Sequence, residues 1–158
     1  MTRLLISDVI LNGQLTDVVI AGNRFESIGP RPEAVVDEVI ACRGRMAIVP
    51  PFYNAHTHAA MTLLRGYADD VELAEWLTDH IWPAEAQLTD EDIYAGSRIA
   101  ILEMIKSGTV FFNDMYWDQP ATVRAADEMG VRAAIGLLYL SGPDGRTNPR
   151  REIGRAHV

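Results

Sequence analysis

Beyond residue 50 the apolar pattern alternates between helix-like and strand-like segments, and this alternation limits the chain to few folds. The pattern predicts a helical turn at residues 61–66, a short amphipathic helix at 73–81, a helix starting near residue 89, a strand at 109–113, a helix at 120–129 and a strand at 131–140. Thr89-Asp90-Glu91-Asp92 resembles a capping box with Asp in place of Glu, and Ser107-Gly108 ends the helix that it opens. Strands and helices in this order predict a parallel sheet with right-handed crossovers.

The first fifty residues follow a different pattern, in which short apolar strands are separated by tight turns. Asn12-Gly13 is a strong signal for a two-residue hairpin, and Gly22-Asn23 marks a second turn. Five strands are predicted, at residues 4–11, 14–21, 24–28, 38–42 and 46–49. We therefore expect a small antiparallel meander before the parallel sheet.

Composition and charge exclude several classes of protein. The 158 residues are 48% hydrophobic and carry a formal net charge of −8, which argues against a nucleic-acid-binding surface. No apolar run approaches the ~20 residues of a membrane span, and the start does not resemble a signal peptide. We expect a cytoplasmic protein without a nucleic-acid or membrane partner. The single cysteine, Cys42, excludes an internal disulfide and is expected to be buried.

His56 and His58 stand at the end of an apolar run that is predicted to be the first strand of the parallel sheet. Side chains at positions i and i+2 of a strand leave the same face, about 6.5–7 Å apart along the chain, whereas on a helix they diverge. Two imidazoles placed in this way can converge on one metal ion, at the strand end where functional groups of such sheets collect. The alternative from these two residues alone is a hydrogen-bonded pair without a metal.

The residues around this pair resemble those of a known family. The matching stretches are Asn54-Ala-His-Thr-His-Ala-Ala-Met-Thr-Leu-Leu-Arg-Gly-Tyr-Ala-Asp-Asp70, Glu75-Trp76-Leu77, Ile81-Trp82-Pro83-Ala84-Glu85, Gly108-Thr109 and Asn113-Asp114-Met115-Tyr116. Together they resemble the amidohydrolase superfamily, in the branch of 5′-methylthioadenosine/S-adenosylhomocysteine deaminases and aromatic-ring chlorohydrolases. The resemblance covers about residues 3–142.

The resemblance implies an α/β fold, the incomplete N-terminal part of a TIM-like (β/α)8 barrel preceded by strands of a small composite β-sandwich. It implies that His56 and His58 bind one divalent ion, zinc or iron, and that Glu85 accepts hydrogen bonds from ribose hydroxyls. The remaining metal ligands and the catalytic proton-transfer residues are expected downstream, so no catalytic residue is assigned to this chain. The implied reaction is hydrolytic deamination of an adenosine-type nucleoside by metal-activated water.

The expected partner is a small molecule, a purine nucleoside or another heteroaromatic amine, and a homo-oligomer is left open. Ile135-Gly-Leu-Leu-Tyr139 stands where S-adenosylhomocysteine deaminases can carry a substrate-binding arginine, which weakens the case for a homocysteine-type substrate. A guanine deaminase, triazine chlorohydrolase or imidazolone-type hydrolase would share the paired histidines. A hydantoinase or dihydroorotase would need a carbamylated lysine on a later strand, and Lys106 is predicted on a helix.

Asp114 is predicted either as a functional strand-end residue or as a turn cap.

We divide the chain into three segments. Residues 1–50 are predicted to be sandwich strands, residues 51–145 the first βα units of the barrel, and residues 146–158 an irregular tail. Glu152-Ile-Gly-Arg-Ala-His-Val158 resembles a translated sequencing adapter, so residues 152–158 are predicted to be an artefact. Because a barrel needs roughly 250 residues and eight strands to close, we expect this chain alone to be a catalytically inactive fragment.

Overall fold

The computed structural model describes residues 2–30 and 35–138. The chain divides into two compact units, residues 1–50 and residues 51–158. The tail predicted at 146–158 lies outside the described residues, as do the last two residues of the strand predicted at 131–140.

The first unit is a mixed sheet of five strands. These are β1 (Arg3–Leu11), β2 (Gln14–Ala21), β3 (Arg24–Gly29), β4 (Glu38–Ala41) and β5 (Ala47–Ile48). The first three form antiparallel hairpins, as predicted. Asn12 and Gly13 both have positive φ, 50° and 79°, as a type I′ hairpin turn requires. Cys42 is 3% exposed, which confirms its predicted burial, and it packs with Val9 and Val18 in the core of this unit.

The expectation of an antiparallel meander is wrong for the last two strands of this unit. Both β4 and β5 pair with β1 in parallel, on the edge that β2 leaves free. In the strand order β3-β2-β1-β4, the strands β3 and β4 lie at opposite ends, and β4 runs in the direction of β1. A local sequence pattern specifies strands and turns, but it does not specify which free edge a more distant strand joins.

The second unit contains a parallel sheet, as the alternating pattern predicts. Its strands, in spatial order, are β6 (Phe52–Thr57), β7 (Thr109–Met115) and β8 (Arg132–Gly136). They are connected by a 3-10 helix (Ala59–Leu64), an irregular helical segment described below, helix α1 (Asp90–Lys106) and helix α2 (Gln119–Met129). All pairings within this sheet are parallel.

Helix α1 begins with the predicted capping box. The Oγ1 atom of Thr89 accepts a hydrogen bond from the Asp92 N–H at 3.3 Å, and Asp92 Oδ2 accepts one from the Thr89 N–H at 2.8 Å. Helix α1 packs against α2, and a buried hydrogen bond of 3.0 Å joins the hydroxyls of Ser97 and Thr122. The core beneath the helices contains the fully buried Phe112 of β7. This packing fixes the strand order that brings the carboxyl ends of β6 and β7 together.

The segment predicted as one amphipathic helix at 73–81 is longer and less regular. It runs as an α-turn (Leu73–Glu75), a π-helix (Trp76–Ile81) and a second α-turn (Trp82–Glu85). In the π-helix, the Trp82 N–H donates to the Leu77 carbonyl five residues earlier. Pro83 has no N–H to continue an α-helical pattern, which favours this wider turn. Leu73 is 69% exposed, whereas Ile81 is 1% exposed, so the two residues do not share a buried face.

Candidate metal centre

His56 and His58 meet at the carboxyl end of the first parallel strand. His56 belongs to β6 and His58 follows its last residue, Thr57. The centroids of the two imidazole rings are 4.9 Å apart, with their planes at 80°. Thr57 is engaged elsewhere, since its hydroxyl donates to the Asn113 carbonyl at 3.0 Å. The structure thus brings together the two side chains that the i, i+2 spacing places on one face.

The ring of His58 is held by the neighbouring strand. Its Nδ1 atom is 2.6 Å from the main-chain carbonyl oxygen of Met115. Because a carbonyl oxygen can only accept, Nδ1 carries a proton and donates it, and in the neutral ring Nε2 then has a free lone pair. The Tyr116 ring packs beside His58, with centroids 6.2 Å apart. A histidine that donates from one ring nitrogen to a backbone carbonyl is oriented to bind a metal through the other.

Asp114 holds the backbone immediately after His58. It is 1% exposed, and its Oδ1 atom accepts a hydrogen bond of 2.8 Å from the N–H of Ala59. Burial raises the pKa of the Asp114 carboxyl, while the Ala59 N–H and the nearby His58 oppose that rise. Asp114 therefore supports the start of the 3-10 helix from an adjacent strand, and this contact does not decide between the functional role and the turn cap predicted for it.

A glycine in α1 allows that helix to approach the 3-10 helix closely. A Cβ atom at Gly96 would lie 2.6 Å from the carbonyl oxygen of Ala60, and the Thr62 hydroxyl donates to the Gly96 carbonyl at 2.7 Å. The contact supports the backbone directly after His58. In the sequence, its only signal is a glycine inside an otherwise helical stretch, where glycine costs about 1 kcal/mol relative to alanine.

Glu85 lies at the end of the irregular helical segment and is half-buried. Its Oε2 atom accepts a hydrogen bond of 2.8 Å from the indole N–H of Trp117. Trp117 follows Tyr116, whose ring packs beside His58, so a short series of contacts connects Glu85 with the paired histidines. Trp117 has no distinctive motif in the sequence, because its contact with Glu85 joins positions 32 residues apart.

The described residues do not by themselves form a complete metal site. Within residues 2–30 and 35–138, no group of three or more His, Cys, Asp or Glu side chains is close enough together to hold a metal ion. Zinc in proteins usually takes four ligands, so the paired imidazoles fit half of such a site. His80 is engaged elsewhere, with its ring 6.1 Å from that of Tyr67, and Lys106 ends helix α1 as predicted. None of the described helices combines the length and hydropathy that a membrane span requires.

Paired histidines at the carboxyl end of the first strand of a parallel α/β sheet are typical of metal-dependent barrel hydrolases. The model of one such family, described as the amidohydrolase family, matches residues 47–156. The chain belongs to this family.

Relatives of known function lie within the branch that the sequence resembles. The chain is 49% identical to a 5′-deoxyadenosine deaminase of Methanosarcina mazei, over 85% of this chain and 32% of that protein. It is 55% identical to a 5-methylthioadenosine/S-adenosylhomocysteine deaminase of Syntrophomonas wolfei, over 68% of this chain and 25% of that protein. The chain thus spans about a third or less of the length of these curated relatives.

Solved structures confirm the predicted fold. An adenosine deaminase from Xanthomonas campestris with bound zinc is 31% identical, with a TM-score of 0.72 over 84% of this chain and 33% of that chain. A zinc complex of atrazine chlorohydrolase from Arthrobacter aurescens has a TM-score of 0.72 at 20% identity, over 89% of this chain and 37% of that chain, and supports the fold alone. The described residues are the first part of a TIM-like barrel with preceding sandwich strands.

Proposed function

We propose that this chain supplies the first two metal ligands of a hydrolase that deaminates an adenosine-type nucleoside. The observation that carries the proposal is the pair of imidazoles at the end of β6, with His58 Nδ1 donating to Met115 and its Nε2 left free beside the ring of His56. Two neutral imidazoles suit zinc, and also iron. We propose one zinc ion whose remaining ligands come from sequence downstream of the described residues.

The bound ion would act as a Lewis acid that makes water a nucleophile at neutral pH. The residues of this chain hold that centre in place. Met115 fixes the ring of His58, and Asp114 fixes the backbone that follows it. The proton-transfer groups that hydrolytic deamination requires are proposed to lie downstream, together with the missing metal ligands.

The proposed substrate is a nucleoside with a small 5′ group, such as 5′-deoxyadenosine or methylthioadenosine. Support comes from relatives 49% and 55% identical that are named for deamination of such compounds. The absence of an arginine in Ile135-Gly-Leu-Leu-Tyr139 argues against strong recognition of a homocysteine carboxylate. We propose that Glu85 accepts hydrogen bonds from the ribose hydroxyls.

The test uses the full-length protein, meaning this chain with the downstream sequence that brings it to the length of its relatives. Ammonia release would be measured with 5′-deoxyadenosine, methylthioadenosine, S-adenosylhomocysteine and guanine, and chloride release with atrazine. We expect turnover of the first two, slower turnover of the third and none of the last two. Activity should disappear on treatment with a chelator and return with zinc. Turnover of guanine or atrazine in preference to the nucleosides would reject the proposal and assign another branch of the family.

A further inference from the structure

The hydrogen bond between Trp117 and Glu85 connects two segments that follow successive strands of the parallel sheet. Glu85 ends the irregular helical segment after β6, and Trp117 lies in the loop after β7. The indole N–H donates to the Glu85 Oε2 atom at 2.8 Å. This is a directional contact to a carboxylate, which is stronger than a hydrogen bond between neutral groups.

Both partners of this hydrogen bond are anchored to the same part of the core. We call this part the Tyr116 cluster, which consists of the buried residues Ala60, Ile93, Tyr116 and Ala121. The Trp117 ring packs against the cluster, and so does Leu88, whose N–H donates to the Glu85 carbonyl at 3.1 Å. The cluster therefore limits the movement of the indole and of the chain that carries Glu85.

The backbone next to Trp117 is also constrained. Asp118 has left-handed φ and ψ of 51° and 54°, and helix α2 starts at the next residue. The Gln119 side chain returns to donate to the Tyr116 carbonyl at 2.9 Å. A left-handed residue other than glycine persists where the surrounding structure holds it. The indole is thus presented from a turn with a defined geometry.

The hydrogen bond from Trp117 engages one oxygen of the Glu85 carboxylate and leaves the other available to a ligand. Within the part of the chain that the structure describes, Oε2 accepts from Trp117 and Oε1 has no hydrogen-bond partner. A carboxylate has about four acceptor positions, so one fixed donor orients the group and leaves capacity for further donors. Two adjacent hydroxyls of a ligand are donors of the required kind.

We infer that Trp117 is a positioning residue that holds Glu85 in the orientation needed to bind the vicinal hydroxyls of a ribose, and that it thereby sets the preference for ribonucleosides. This inference rests on the proposed function, since it assigns Trp117 a role at the site proposed for the sugar. A glutamate without this donor would sample several rotamers. The substrate would then have to order the side chain on binding, which costs binding free energy. The predicted consequence is a defect in binding rather than in the chemical step.

The first experiment tests the hydrogen bond in the full-length protein by NMR of the indole N–H groups. Trp117→Phe assigns the signal of Trp117, because that signal alone disappears. In Glu85→Ala, the Trp117 signal should move upfield and its proton should exchange faster with solvent, while the signals of Trp76 and Trp82 stay in place. An unchanged Trp117 signal in Glu85→Ala would overturn the inference.

The second experiment compares methylthioadenosine with its 2′,3′-dideoxy counterpart. Trp117→Phe should raise KM for the ribonucleoside about tenfold, as expected for loss of one charge-assisted hydrogen bond, and should change kcat less than about twofold. The kcat/KM for the dideoxy compound should not change. The double variant Trp117→Phe/Glu85→Ala should be no worse than Glu85→Ala alone. Trp82→Phe, an aromatic substitution in the same region at a side chain that is 50% exposed, is the control.

If Trp117→Phe lowers stability, benzothienylalanine at position 117 provides a second variant, because it keeps the ring shape and lacks the N–H. Equal losses with both substrates would mean that Trp117 has only a structural role and would overturn the inference while leaving the proposed function intact. Additive losses in the double variant would do the same. If the unmodified protein deaminates no nucleoside, the proposed function fails and the inference fails with it.

Discussion

The Nδ1 atom of His58 lies 2.6 Å from the main-chain carbonyl oxygen of Met115, on the adjacent parallel strand. This contact fixes the tautomer of the imidazole and leaves Nε2 as its free nitrogen. The ring of His56, 4.9 Å away, stands beside it. The two histidines proposed as metal ligands are therefore held in place by two neighbouring strands.

We expect the 158-residue chain to bind zinc weakly through both histidines, because two neutral imidazoles are half of the usual ligand set. His56→Ala and His58→Ala should each weaken binding at least about tenfold, measured by competition with a chromophoric chelator. His80→Ala is the control, since the His80 ring packs against Tyr67. Equal zinc affinity in His58→Ala and His80→Ala would contradict the assignment.

Substitution of Asp114 should test how the backbone after His58 is held. Asp114→Ala removes the acceptor of the Ala59 N–H, so it should lower the free energy of unfolding by about 1–3 kcal/mol. It should also weaken zinc binding about tenfold or more, as loss of a supporting contact does. Asp114→Asn keeps an acceptor oxygen and should have a smaller effect on both. Denaturant unfolding and the chelator assay provide the measurements, with the exposed Asp127→Ala as control.

Gly96→Ala should destabilise the chain, although alanine is the better helix former. The added Cβ atom would lie 2.6 Å from the carbonyl oxygen of Ala60, so α1 and the 3-10 helix would have to move apart. We expect a loss of about 1–3 kcal/mol in the free energy of unfolding. Helix propensity alone predicts a gain of about 1 kcal/mol, so the sign of the change distinguishes the two effects.

The capping box of α1 should contribute stability that depends on pH. Hydrogen bonds from Thr89 hold the pKa of Asp92 below its usual value of 3.8. The stabilisation by the Asp92 carboxylate is therefore present above pH 3.8 and is lost as the pH falls through the lower pKa of the folded state. Asp92→Ala should lower Tm at pH 7 and should lower it less at pH 2. A constant difference in Tm between these two pH values would argue against this account.

The purified 158-residue chain should release no ammonia from methylthioadenosine, with or without added zinc. The described residues supply three parallel strands, whereas a closed barrel of this type has eight. The two histidines alone cannot complete a catalytic ion's ligand set. Turnover that is abolished by His56→Ala would prove this expectation wrong.

Local pattern was sufficient for most elements of the fold. The hairpin at Asn12-Gly13, the capping box at Thr89 and the parallel order of β6, β7 and β8 all follow from residues close together in sequence or from the chirality of crossovers. The parallel pairing of β4 and β5 with β1 could not be predicted from local sequence, because it depends on which sheet edge remains free. The π-helix at Trp76–Ile81 also departed from a simple helical period.

For the candidate site too, one part could be predicted from local sequence and another part depends on tertiary structure. The spacing of His56 and His58 on a strand determined that their rings share one face, since the two-residue period of a strand is a local property. The partners of those rings were decided by tertiary structure. The residues that contact the site or its supporting backbone lie later in the chain, on strands, loops and helices. They are Met115, Asp114, Gly96 and Trp117. A hydrogen bond between segments tens of residues apart depends on strand register and helix packing, and no local pattern encodes either.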